Sequence, residues 1–127
     1  VVVAWFAAPN DEPKVRLVRS SDGGRSFHDP IDIDTTGSFG HVDVALLQGG
    51  VVAVSWLRRG EDNQTALTVR LISMDGVPGE IHTVARSNTS RPLDFPQMVS
   101  SGRSLIFAWT SLDGVGGIQT TRLDLTR

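Results

Sequence analysis

The residues of this sequence best able to do chemistry are a histidine beside a carboxylate and a handful of arginines. His41 and Asp43 stand two positions apart at the head of an apolar run, Val42-Asp43-Val44-Ala45-Leu46. On a strand that spacing puts both side chains on one face. An imidazole near a carboxylate can move a proton or bind a polar ligand, and the same pair can simply hydrogen-bond a connecting loop. Arg58 and Arg59 follow Trp56, and Arg91 lies in a polar stretch further on. Guanidinium groups grip carboxylates through paired hydrogen bonds, although loop arginines are more often solvated. The acidic pairs Asp11-Glu12 and Glu61-Asp62 read as solvated loops, because adjacent carboxylates rarely converge on one bond. His28 and His82 read as structural or solvated. No three-ligand metal spacing occurs and there is no cysteine, so neither a metal nor another cofactor is expected.

The elements that must position these residues are short. The chain has 127 residues, 39% hydrophobic and 20% charged, which suits one modest globular domain. Thirteen Gly and six Pro, spread along the chain, favour many strands and turns over long helices. A net charge of −2 offers no basic footprint for nucleic acid and no polybasic membrane patch. No stretch approaches the roughly 20 apolar residues of a spanning helix, so membrane insertion is not expected. The sequence opens inside an apolar run without Met and reads as a piece of a longer protein.

An internal repeat organises the rest. Val2-Val3-Ala4-Trp5, Ala53-Val54-Ser55-Trp56 and Ile106-Phe107-Ala108-Trp109 are three versions of an apolar strand ending in Trp, with the tryptophans 51 and 53 positions apart. Each is followed by an Arg-Leu pair, at Arg16-Leu17, Arg70-Leu71 and Arg122-Leu123. A repeat of about 50 residues with four strand signals is the pattern of a β-propeller blade. The expected fold is therefore all-β: a partial propeller of about two and a half four-stranded antiparallel blades. Naming blade strands A to D outward from the hub, residues 1–36 supply B, C and D, residues 37–88 a complete blade, and residues 89–127 A, B and C. The B strands are apolar at consecutive positions, as sheets covered on both faces require, whereas the C and D strands alternate apolar with charged residues (Arg16, Arg70, Asp32, Asp34). A β-sandwich of about ten strands explains the alternation but not the Trp spacing. Blade geometry puts the residues opening each A strand at the hub: His41 and Asp43 in one blade, Asp94 and Gln97 in the next.

The loop between the first C and D strands carries the most specific motif. Ser20-Ser21-Asp22-Gly23-Gly24-Arg25-Ser26-Phe27 fits S-x-D-x-G-x-S-F at every specified position: Ser20, Asp22, Gly24, Ser26 and Phe27. The Asp22 carboxylate can take loop N–H groups, the glycines permit positive φ, and Phe27 is expected to bury its ring against the sheet. Ser73, Asp75 and Gly76 form a degenerate second copy. The octapeptide resembles the Asp-box of sialidases and related bacterial-neuraminidase-repeat propellers. That resemblance implies a propeller fold, an exported bacterial protein, further blades in cis, and a glycan or protein ligand at the hub end away from the Asp-boxes. It makes His41, Asp43, Arg58, Arg59, Arg91, Asp94 and Gln97 the ligand-binding candidates. The chain also departs from the enzymes. It contains no Tyr, the sialidase nucleophile, and lacks a Phe-Arg-Ile-Pro motif. In related bacterial propellers Arg stands where this chain has His41 and Gln97. The expectation is a non-catalytic binding segment; the alternative is part of an exo-sialidase, a glycoside hydrolase whose catalytic residues lie mostly upstream.

Overall fold

A computed structural model describes residues 1–60, 64–87, 93–110 and 117–125. Ten strands follow in chain order: β1 (Val2–Ala7), β2 (Lys14–Arg19), β3 (Ile31–Asp34), β4 (Asp43–Leu46), β5 (Val52–Arg59), β6 (Thr65–Ile72), β7 (Pro78–Ser87), β8 (Asp94–Ser101), β9 (Ser104–Thr110) and β10 (Ile118–Asp124). They pair antiparallel into three separate sheets, ordered β1-β2-β3, β4-β5-β6-β7 and β8-β9-β10. Among the described residues there is no α-helix, so the all-β expectation holds. The three Trp-bearing ribbons are β1, β5 and β9, one to a sheet.

The second sheet is packed on both faces, which explains its unbroken apolar sequence. Val52, Val54 and Trp56 of β5 join Val15, Leu17 and Ile33 of the first sheet in one core cluster, with Ile72. The alternate residues Ala53 and Leu57 join Leu67, Val69, Met98, Leu105 and Phe107 in another, against the third sheet. Period-two alternation thus sends successive side chains into two different cores. Burial of a large apolar side chain stabilises by about 1.5–3 kcal/mol, so these two seams dominate the fold. β1, by contrast, leaves Val3 and Phe6 exposed.

Polar bonds stitch the first seam. Arg19, at the end of β2, donates to the carbonyls of Gly50 (2.7 Å), Met74 (2.9 Å) and Ser73 (3.0 Å), reaching both turns at that end of the second sheet. Arg70 donates back across the seam to the Ile33 carbonyl at 2.7 Å.

Asp34 corrects the expectation of a half-exposed, alternating strand. It is only 4% exposed, directly after the buried Ile33. Asp32 lies opposite Arg16 and Asp34 opposite Val15, so two residues on β3 answer one on β2. This β-bulge turns both Ile33 and Asp34 inward, which no alternation pattern anticipates. The Asp34 carboxylate accepts the Trp56 indole N–H at 2.8 Å and the Thr36 N–H and hydroxyl at 2.9 Å. It pins the Trp of the second sheet to the last strand of the first.

The octapeptide loop closes on itself as its sequence dictates. Asp22 accepts from the N–H groups of Arg25 (3.0 Å) and Ser26 (2.9 Å) and from the hydroxyls of Ser20 (2.8 Å) and Ser26 (2.5 Å). Ser20 Oγ in turn accepts the Gly24 N–H at 2.8 Å, with Gly23 and Gly24 both at positive φ. The Ser26 hydroxyl above all, with the Ser26 N–H and the Ser20 hydroxyl, holds the Asp22 carboxyl well below the usual carboxylate range. Phe27 does not bury its ring as expected: it is 46% exposed and belongs to neither core cluster. The ladder of β3 begins only at Ile31, so Phe27 lies outside the sheet it was to cover. In the degenerate copy Ser73 keeps its role, its hydroxyl accepting the Val77 N–H at 3.1 Å and its carbonyl the Gly76 N–H at 2.9 Å. Asp75 is exposed and makes no hydrogen bond among the described residues. The tighter turn leaves it no ring of N–H groups to collect.

Candidate functional site at two converging edge strands

β4 and β8 are the N-terminal edge strands of their sheets, and they lie side by side. One side chain joins them. Asp43 accepts the Val44 N–H through Oδ1 and the Met98 N–H of β8 through Oδ2, both at 2.8 Å. Met98 follows Gln97, which pairs with Ala108 as Asp43 pairs with Ser55. The carboxylate therefore holds the N–H after its own position and the matching N–H of the next sheet. Both oxygens are engaged by backbone N–H groups, one on its own strand and one on the next sheet, rather than by the connecting loop.

Just beyond that link each edge strand breaks its ladder in the same place. On β4, Asp43 faces Ser55, and the next pairing outward is Ser38 with Arg58. The intervening residues bulge, with Gly40 at φ 97° and His41 at φ 54°. On β8, Gln97 faces Ala108 and Asp94 faces Thr110, leaving one extra residue, and there Phe95 adopts φ 47°. His41 and Phe95 thus occupy matching positions, each two residues before the residue paired into the ladder. Left-handed backbone at a bulky non-glycine residue is strained and persists only where surrounding structure holds it. The two rings meet edge to face, centroids 6.4 Å apart. Phe95 is nonetheless 68% exposed, and His41 is exposed too.

Of the residues nominated from sequence, this end of the molecule gathers His41, Asp43, Asp94 and Gln97. Asp94 is half-buried and Gln97 exposed. Arg58 lies apart, turned into the first seam: Nε and Nη2 donate to the Thr36 carbonyl (3.2 Å) and hydroxyl (2.6 Å), and the guanidinium stands 3.5 Å from Asp34. Arg59 is exposed, its own N–H bonded to the Gly37 carbonyl at 2.9 Å. Arg91 lies outside the described residues. His28 contacts Ser21 Oγ at 2.8 Å in the octapeptide loop, and His82 is exposed on β7.

Phe95 was missed from sequence. Its one legible signal is Pro96, since proline inside a strand marks an edge or a bulge. What the arrangement offers is an exposed aromatic face, an adjacent imidazole, and the polar tips of Gln97 and Asp94. That set can hold the apolar face of a sugar ring and hydrogen-bond its hydroxyls. Asp43, the carboxylate nearest His41 in sequence, has both oxygens on backbone N–H groups rather than on the imidazole. Among the described residues no three His, Asp or Glu side chains gather as a metal site, and no helix is long and apolar enough to cross a membrane. Compared with protein-family models, curated proteins and solved structures, the chain matches none.

Proposed function

We propose that this chain is a non-catalytic segment of a sialidase-like, Asp-box β-propeller that binds glycan at the end carrying His41 and Phe95. Three observations support the propeller reading: the sheets stack in chain order, each contains one Trp ribbon, and their N-terminal edge strands β4 and β8 converge. The complete hydrogen-bond network of the octapeptide loop supports the resemblance. On this reading the three sheets are two incomplete blades flanking a complete one, with further blades in cis and an extracytoplasmic setting.

The observation that carries the binding function is the His41–Phe95 pair. Two strained residues recur at equivalent positions of successive sheets and present a largely exposed aromatic ring. Strain of this kind is kept at sites where it aims a side chain. The hydrolase alternative has less support, because the Asp43 carboxylate is engaged and no Tyr is present. Saturation-transfer NMR on the complete protein with a panel of neutral and acidic oligosaccharides tests the proposal. Transfer to one sugar, abolished in Phe95→Ala, is the expected outcome. Binding unaffected by Phe95→Ala, or turnover of a fluorogenic sialoside, removes it.

A further inference from the structure

We infer a second site, away from the converging edges: an oxoanion cleft on the flank of the second sheet, built by Arg58 and Arg86 over a floor of Ala66 and Thr68. A cavity of about 410 Å³ is lined by Arg58, Gly60, Ala66, Thr68, Thr83 and Arg86. Strand register explains how it forms. Arg58 of β5 pairs with Ala66 of β6, and Ala66 pairs with Arg86 of β7. The three share one face of the sheet, and strand spacing of about 4.8 Å sets the two arginine backbones about 10 Å apart. Ala66 between them carries only a methyl, so a gap remains between two cationic side chains. The row below runs Trp56, Thr68, Thr83 by the same pairing, which puts the Thr83 hydroxyl at the outer rim.

Among the described residues the charges in this cleft are not balanced within it. Asp34, the nearby acid, already takes the Trp56 indole N–H and two groups of Thr36, besides its contact with Arg58. Arg58 uses Nε and Nη2 on Thr36, which fixes the plane of its guanidinium without engaging Nη1 among the described residues. Arg86 has no hydrogen-bond or ion-pair partner among the described residues. One preorganised guanidinium and one unpaired one, with a hydroxyl at the rim, fit a sulfate, phosphate or carboxylate group rather than a neutral ligand. The ligand chemistry is a single oxoanion, supplied either by a substituent of an acidic glycan or by a free inorganic ion.

The test follows arginine side-chain and backbone NMR signals of the complete protein during titration with inorganic sulfate, a sulfated disaccharide and its unsulfated counterpart. Arg86→Gln is the principal variant, since it removes an exposed side chain with no structural bond; Arg86→Lys checks for a simple charge effect. The expected result is that sulfate and the sulfated sugar shift Arg58, Arg86 and Thr83. Arg86→Gln weakens binding at least tenfold, and Arg86→Lys recovers part of it. Shifts from sulfate alone assign the site to free oxoanions. Tighter binding of the sulfated sugar than of sulfate assigns it to a glycan substituent. No shift at these residues, or equal affinity in Arg86→Gln, overturns the inference. Phe95→Ala is expected to leave these shifts intact, so this site and the edge-strand site fail or stand separately.

Discussion

Replacing Asp34 by Ala tests the seam between the first two sheets at its most concentrated point. The carboxylate is 4% exposed and holds the Trp56 indole N–H at 2.8 Å, with the Thr36 N–H and hydroxyl at 2.9 Å. Removing it leaves a buried indole donor without a partner, and hydrogen bonds to a charged group are worth about 1.5–3 kcal/mol each. Part of that is recovered as Thr36 turns to solvent, so Asp34→Ala is expected to cost about 3–4 kcal/mol. Trp56→Phe removes the donor and shrinks the core, at a cost of about 2–3 kcal/mol. The two effects should not add. Urea denaturation followed by circular dichroism on the wild type, both single variants and the double variant gives the coupling, expected at about 1.5–3 kcal/mol. A coupling under about 0.5 kcal/mol, the range of independent sites, would show that the bond does not hold the seam.

Other perturbations probe the turns beside that seam. Arg19→Met keeps the stem but loses three bonds to turn carbonyls, and thermal melting should report a loss of about 2–3 kcal/mol. Ala replacements at two adjacent glycines should both cost stability. Gly49, at φ 74° with open space around its missing side chain, should lose about 1 kcal/mol. Gly50, at φ 76°, would set a methyl 2.9 Å from Met74 Cγ, so the exposed Met74 side chain must swing aside and the loss should be at least as large; a smaller loss than at Gly49 would contradict the contact described. Asp22→Asn is expected to lower the melting temperature at neutral pH. Because the folded carboxyl sits below its unfolded value, its stabilisation is present above about pH 4 and fades as acid titrates it. The gap between wild type and variant should therefore begin to narrow below about pH 4 and keep narrowing as the pH falls further toward the depressed folded value, and a gap that does not change with pH over that range would exclude the carboxylate as its cause.

Much of this architecture is legible in the residues themselves. Val52 to Leu57, apolar at nearly every position, signals a strand covered on both faces, and two core clusters share its side chains. Ser20, Asp22, Gly24 and Ser26 encode a local hydrogen-bond network that needs no distant partner, so the motif suffices to read it. What escapes depends on register. Asp34 looks like an exposed alternating acid until a bulge turns it inward beside Trp56. Phe27 looks like a core aromatic, but it stands four residues before β3 begins, outside the sheet it was to cover. Arg86 gains meaning only from the pairing that sets it across Ala66 from Arg58. Phe95 has no preference for left-handed backbone, and its exposure follows from an extra residue in the β8 ladder.

The binding proposal turns on strain retained at His41 and Phe95, and a glycine at position 95 separates strain from function. Glycine adopts φ 47° freely and the exposed ring contributes little packing, so Phe95→Gly should leave stability unchanged or raise it by up to about 1 kcal/mol. Isothermal titration with the sugar identified by NMR, run beside thermal melting of the same samples, reads both quantities. The account predicts that glycan binding disappears while the melting temperature holds or rises. Undiminished binding, or a substantial loss of stability, would contradict it.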